Sequence, residues 1–477
     1  MELEGLGLTP RTSRVLEAAA REARKRGHGF LGTEHLLLGL FSEPEAIACR
    51  VLADLGVIEE ARRQVVAIME SPDYVRPPDR YGRDPVESEG ERVRPWLDPA
   101  VTDEERTALG LPTVAGLLAQ IADENRRRAA EVALAEELPP GAEFRRAWRP
   151  WTRSELLERR EREGAACWRD GDTLVFVCQA DADHVQLTGG LQCEMWRVEG
   201  DLWVVGYRLR QAERAFVSYA FVPDGDFAAA FAGGHMAVWR GPGAPEPPVT
   251  AGDLRGELRH LQVPSSHLTG PRTVHTYLSP GWRDSPRTLV IQAADAAHHA
   301  EVLEPLVLQG RLPPLVCIGV EFLSGLTGRA DEYLPGQSRA RFDAHMALQA
   351  DDLPAWTGEE LGLSPPRERR VVTGQSNGGT FAVWAGLRRP DVFGHVLAFS
   401  VAGGPPPAHL PEPGPGTMPA SFQLVAGSLE PFRSNTSAWR GALERRRIPV
   451  RHEELVAGHD PMLWDIAFLS CLQQLGG

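Results

Sequence analysis

From about residue 270 onward, short apolar runs alternate with longer stretches of helical period, and this alternation narrows the possible folds more than any other feature. TVHTYLSP, RTLVIQAA, LVCIGVEF, RRVVTG, HVLAFS, FQLVAG and VRHEEL read as strands. LEPLVLQGRL, RFDAHMALQADDLPAW, GGTFAVWAGLRRP and SNTSAWRGALERR read as helices between them. Strands this apolar are buried on both faces, so the pattern predicts a mostly parallel sheet with helices on either side. The proline-rich stretch 403–419 interrupts it where a rim loop or partial lid of an active site would lie.

Two other patterns come first. Between residues 166 and 250 the period is two, in TLVFVCQA, HVQLTG, MWRVEG, LWVVGYRL and AFVSYAFVPDG, with Gly and Asp between runs. That predicts an antiparallel β-sandwich, with no evident chemistry of its own. Residues 1–70 read as a compact unit of four helices, opened by Thr9 as N-cap and Pro10 in the first turn, with His28 and His35 as packing side chains. Residues 71–100 mix Pro, Gly and charge as a linker does, and 101–165 form a helical connector whose Arg126–Arg128 run reads as a solvated face. A chain of 477 residues has room for about three domains.

The net charge of −14 argues against nucleic acid or an anionic membrane as a partner. No run of 18 apolar residues occurs, and the first residues do not resemble a signal peptide. Cys49, Cys167, Cys178, Cys193, Cys317 and Cys471 are scattered, which predicts buried thiols, no metal site and no disulfide framework. The expectation is a cytoplasmic protein that needs no cofactor.

The chemistry concentrates in three short segments. Gly374-Gln375-Ser376-Asn377-Gly378 lies between a predicted strand and a predicted helix, the setting that lifts a serine hydroxyl onto a sharp turn. A serine needs a base, and Gly458-His459-Asp460 follows the last strand. The base needs an acid behind it, and Glu430 follows the strand FQLVAG. Asp460 is too close in sequence to face the far ring nitrogen, so Glu430 is preferred. The order Ser376, Glu430, His459 is that of α/β-hydrolases, and the N–H of Asn377 is the expected first oxyanion donor. His298 and His299 have no comparable setting.

Two resemblances extend this reading. LTPRTSRVLEAAAREA, GHGFLGTEHLLLGL and VLADLGV resemble one repeat of the Clp N-terminal domain. In Clp chaperones that module precedes an ATPase and binds peptides or adaptors, but no Walker motif occurs here. Residues 262–477 resemble the putative esterase family, the α/β-hydrolase branch that contains enterochelin esterases, through GPRTVHTYLSPGW, GRADEYLPG, GQSNGG, AGSLEP and GHDPMLW. The sandwich resembles the immunoglobulin-like amino-terminal domain of the same esterases. The family's glycine-bearing oxyanion turn is replaced by VIQAADAAHH, which leaves a backbone N–H near Ala293 or Ala294 as second donor.

The resemblance implies a serine esterase that opens a catecholate siderophore trilactone and releases iron inside the cell. Arg329 and Trp464 are its substrate-binding candidates; Arg329 could equally pair with Glu332. The alternatives are a general carboxylesterase or acyltransferase of the same fold, or a non-catalytic Clp-associated adaptor. The head implies a protein partner in either case.

Overall fold

The computed structural model describes residues 141–477 apart from 148, 227–235, 295–298, 323–324, 408–409, 412–417 and 477. Of the first 140 residues it describes short pieces, chiefly 33–42, 62–66, 86–88, 91–93 and 103–108. The chain divides into two units, Met1–Glu87 with Arg92–Leu117, and Ser88–Glu91 with Leu118–Gly477.

In the first unit the helix Thr33–Phe41 buries Leu38 and Phe41. Gly39 lies so close to another helical segment that a Cβ there would fall 2.7 Å from the Ala19 nitrogen. Small residues at such crossings let two helix backbones touch. The span read as a linker contains two short strands, Val86–Ser88 and Glu91–Val93. His28, Arg126–Arg128 and most of 101–140 lie outside the described residues.

The second unit begins with two antiparallel sheets. One holds β1 (Phe144–Ala147), β2 (Cys167–Asp170), β3 (Thr173–Gln179), β6 (Trp196–Glu199) and β7 (Leu202–Leu209). The other holds β4 (Val185–Gly189), β5 (Cys193–Glu194), β8 (Phe216–Pro223) and β9 (Ala237–Arg240). Alternation sets the layers. Leu174, Phe176 and Cys178 of β3 pack with Val185, Leu187, Val217 and Tyr219 of the facing sheet. Val175 and Val177 point the other way, onto Trp151, Trp168, Trp196 and Leu156. Leu156 belongs to the helix Arg153–Glu163, capped by Thr152 and closed by Gly164. Strand β1 lies inside the span read as a helical connector. It is only four residues long and exists by pairing with β7, Phe144 opposite Leu209, which its own pattern does not announce.

The remaining residues build an eight-stranded sheet. Its members are β10 (Glu257–Val263), β11 (Arg272–Leu278), β12 (Leu289–Ala293), β13 (Leu315–Val320), β14 (Arg370–Gln375), β15 (His395–Phe399), β16 (Ser421–Gly427) and β17 (Val450–Leu455). The spatial order is β10-β11-β13-β12-β14-β15-β16-β17. β11 runs antiparallel to both its neighbours and every later pairing is parallel. The edge strand β10 was not expected, because half its side chains face solvent and its apolar signal is thin.

Both faces of the sheet are covered, which explains the continuous apolar runs. Ile291, Val371, Leu397 and Val425 meet the helices Ala300–Leu308 and Pro461–Gly476 on one side. Val372, Val396, Ala398 and Leu424 meet Asn377–Arg388 and Arg433–Arg445 on the other. Gln375, Phe399 and Val425 stand in register, and Gly427 stands opposite Leu455. The loops after these four strands therefore emerge together at one edge.

Candidate active site

Ser376 occupies the turn between β14 and the helix Asn377–Arg388, with φ 57° and ψ −123°. An L-residue adopts that conformation only under constraint. The constraint is visible: its N–H donates to Phe399 O at 2.9 Å and its carbonyl accepts from Thr380 N at 3.2 Å. Gly374 makes the turn possible, because a Cβ there would lie 2.3 Å from Gly378 O. Asn377 follows as the first helical residue, so its N–H belongs to the unbonded set at a helix start.

Glu430 and His459 meet across two strand-end loops. Glu430 Oε2 lies 2.8 Å from His459 Nδ1, while Oε1 accepts the Gly427 N–H at 2.9 Å. The Glu430 side chain is fully buried. With Nδ1 bearing the proton toward Glu430, Nε2 is left as the acceptor of a neutral imidazole. Two rings hold the imidazole from the sides, Phe432 at 4.8 Å and Trp464 at 4.9 Å between centroids. Trp464 in turn donates its Nε1–H to Ser400 Oγ at 2.9 Å, directly after the Phe399 carbonyl that holds Ser376. Phe432 and Ser400 escaped the sequence reading. Phe432 carries a faint signal, two residues beyond Glu430, whereas nothing in HVLAFS marks its serine.

Asp460 faces away from the imidazole chemistry. Its carboxylate is fully buried and accepts from Ser218 N at 2.6 Å, Ser218 Oγ at 2.7 Å and Met462 N at 2.9 Å. Burial raises its pKa above the usual aspartate range, and those hydrogen bonds draw it partway back.

The other sequence candidates divide. Ala294 is corrected as an oxyanion donor: its N–H is already given to Thr373 O at 2.9 Å, inside the sheet ladder. Ala293 is paired on both sides, with Gly319 and Thr373. The residues that follow, 295–298, lie outside the described residues. Arg329, on the helix Gly325–Tyr333, donates to Gln375 O at 3.3 Å, immediately before Ser376, and lies 5.1 Å from the Tyr333 ring. The alternative pairing with Glu332 is also corrected. Glu332 forms a two-pronged pair with Arg272, Nη2 to Oε1 at 2.6 Å and Nη1 to Oε2 at 3.0 Å, because β11 brings that arginine to the buried carboxylate. Tyr333 donates its hydroxyl to the Ala294 carbonyl. One helix thus ties down the backbone on both sides of the site.

His345 sits behind this helix, fully buried, 4.8 Å from the Phe381 ring and 5.2 Å from Tyr333. Burial pushes its pKa down to about 4. Among the described residues no group of three or more His, Cys, Asp or Glu is arranged to hold a metal ion. No described helix is long and apolar enough to cross a membrane.

Comparison with known proteins agrees with this architecture. Residues 7–80 match the Clp repeat (R) N-terminal domain, and residues 265–447 match the family described as Putative esterase. ClpC/MecB, the negative regulator of genetic competence of Bacillus subtilis, is 52% identical over 64 residues, 13% of this chain and 8% of that protein. The chaperone ClpB of Oceanobacillus iheyensis is 48% identical over 69 residues, 14% and 8% of the two chains. The chain thus spans under a tenth of the length of these curated relatives. The crystal structure of the enterobactin esterase of Shigella flexneri, in the presence of enterobactin, superposes with a TM-score of 0.51 at 18% identity, over 68% of this chain and 98% of that one. At that identity the likeness is one of fold. The chain carries a Clp N-terminal repeat domain and, after it, a domain of the putative esterase family.

Proposed function

We propose that this chain is a serine carboxylic ester hydrolase, with Ser376 as nucleophile, His459 as general base and acid, and Glu430 as the group that orients and charges the base. The observation that carries the reading is the 2.8 Å contact between Glu430 and His459 Nδ1, at the sheet edge where Ser376 is held at positive φ. Ser376 Oγ attacks the ester carbonyl while His459 Nε2 takes its proton, and Glu430 stabilises the imidazolium. The N–H of Asn377, at the positive end of its helix, meets the developing oxyanion. His459 returns the proton to the leaving alcohol, and water then clears the acyl-enzyme by the same steps reversed.

The substrate of this reading is a catecholate siderophore trilactone, hydrolysed in the cytoplasm so that its iron is released. Arg329, anchored on the carbonyl before Ser376, supplies the positive charge that such an anion needs. The plan of the chain is a Clp-like head over 1–70 that binds a protein partner, a linker over 71–100, an immunoglobulin-like sandwich that takes in the strand Phe144–Ala147, and an esterase domain whose sheet begins with Glu257–Val263.

The test is to treat the purified protein with a fluorophosphonate probe, map the adduct by mass spectrometry, and follow hydrolysis of ferric and iron-free enterobactin. A stoichiometric adduct on Ser376 with release of linear product is expected. Folded protein that takes no label would sink the serine mechanism; label without trilactone hydrolysis would move the substrate to another ester.

A further inference from the structure

The esterase reading uses only residues of the domain built on the eight-stranded sheet, yet the loop that carries His459 is gripped from outside it. Gly190, just past β4, donates its N–H to Ser218 O at 2.8 Å and accepts the His459 N–H at 3.0 Å. Ser218, in β8, gives its N–H to Asp460 Oδ2 at 2.6 Å and its hydroxyl to Oδ1 at 2.7 Å. The same Oδ1 takes the Met462 N–H at 2.9 Å in the first turn of the last helix. Ahead of the loop, Phe216 N–H reaches Val456 O at 3.0 Å. Two residues of the sandwich thus hold two consecutive residues of the hydrolase.

The approach is as close as backbones allow. A Cβ on Gly458 would lie 1.5 Å from Gly190 O, and one on Gly190 would lie 2.7 Å from Asp460 Oδ2. The apolar cores are exchanged as well. Leu429 and Val456, next to Glu430 and in the histidine loop, pack in the sandwich core, while Phe216 of the sandwich packs in the hydrolase core.

Asp460 is the informative residue. A fully buried carboxylate whose hydrogen-bond donors are all neutral is costly to keep. Neither domain needs it for apolar packing. Its effect is local: it fixes the backbone one residue after the imidazole. The ring of His459 is already confined by Phe432, Trp464 and Glu430. What remains free is translation of its backbone, and Gly190 O and the Ser218–Asp460 bonds remove that freedom.

We infer that Ser218 is a positioning residue for ester hydrolysis: acting through Asp460, it sets the reach of His459 toward Ser376, so that the sandwich is a working part of the catalytic centre. This rests on the serine-esterase reading. A displacement of about 1 Å in such a group costs on the order of 10²-fold in rate, which sets the scale of the effect.

The experiment uses the full chain and compares Ser218→Ala, Ser218→Thr and Val204→Ala with wild type. Val204 packs on the far side of the sandwich, with Trp151 and Trp196, and serves as the control for loss of sandwich stability alone. The readouts are the thermal midpoint, kcat and KM on a 4-nitrophenyl ester, and the rate of fluorophosphonate labelling at Ser376. Ser218→Ala is expected to lower kcat and the labelling rate by about tenfold to a hundredfold with KM nearly unchanged. Ser218→Thr keeps the hydroxyl and is expected to restore most of both, while Val204→Ala lowers only the midpoint. If Ser218→Ala does not fold, Ser218→Cys, with a weak donor in nearly the same volume, is expected to show an intermediate loss. Wild-type kcat in Ser218→Ala or Ser218→Cys, or an equal kcat loss in Val204→Ala, overturns the inference. An unlabelled wild-type protein instead overturns the esterase reading and the inference with it.

Discussion

The two loops that meet at the candidate site are built on opposite plans. The turn at Ser376 is held by its own neighbourhood: β14 before it, the helix after it, Phe399 O beside it, and Gly374 packed on Gly378 of the same motif. Every one of those contacts lies within about one βαβ unit. The loop at His459 has local bonds too, Met462 N to Asp460 Oδ1 among them, but its frame is completed from far away. Its backbone is held by Gly190 and its neighbour Asp460 by Ser218, more than two hundred residues upstream. The turn at Ser376 is strained, and a short glycine-rich segment holds such strain locally. The loop at His459 is only placed, and placement can come from any surface rigid enough to offer hydrogen bonds.

The largest test acts on the nucleophile side. Ser376→Ala is expected to abolish labelling and to lower esterase turnover by about 10⁴-fold or more. Residual turnover near wild type would mean that the strained turn is not a nucleophile elbow. Glu430→Gln probes the link between the loops. It keeps the shape but removes the charge behind Nδ1, and a fall in kcat of about 10³- to 10⁴-fold is expected by steady-state kinetics, with KM little changed.

Gly458→Ala attacks the remotely held side alone. Its Cβ would have 1.5 Å to Gly190 O where an ordinary contact is 3.4–4 Å, so loop and sandwich must part. Turnover is expected to fall about 10²-fold in protein whose far-UV spectrum is unchanged. A wild-type rate would show that the histidine loop does not need its grip.

Acid should loosen the nucleophile side. The folded pKa of His345, about 4, lies below the ordinary 6.5, so the unfolded chain binds the proton more readily. Stability contributed by the neutral ring is complete above pH 6.5 and is lost as pH falls toward 4, by up to about 3 kcal/mol. Thermal midpoints of wild type and His345→Phe, taken from pH 7.5 to 4.5, check this: the wild type should fall more steeply. Parallel curves would assign the acid sensitivity elsewhere. The smallest effect is expected for Trp464→Phe, which keeps the ring beside His459 and loses the hydrogen bond to Ser400. A loss of about 1 kcal/mol in stability by chemical denaturation, with turnover changed only a few-fold, is expected.

The readability of the sequence follows the same division. Ser376 was legible because strand, turn and helix are consecutive and each leaves its own pattern. Glu430 and His459 stood out by position after strand ends, and the structure brings their side chains to 2.8 Å of each other. The strand Phe144–Ala147 and the edge strand Glu257–Val263 were not, since both owe their form to a partner strand rather than to apolar content. A salt bridge between Arg329 and Glu332 was the alternative, yet β11 delivers Arg272 to the carboxylate. Ala294 looked available because a sequence does not show which amides a parallel ladder consumes.

Neighbouring residues thus decided together the alternation that makes a covered parallel sheet, the strand–turn–helix around Ser376, and the placing of Glu430 and His459 after successive strand ends. Hydrophobic period and turn chemistry act over a few residues and survive any later packing. The tertiary structure alone decided which amides are spent, which arginine meets Glu332, and that Ser218 holds Asp460. Those outcomes depend on which distant strands come within about 3 Å of each other, and no local pattern encodes that distance.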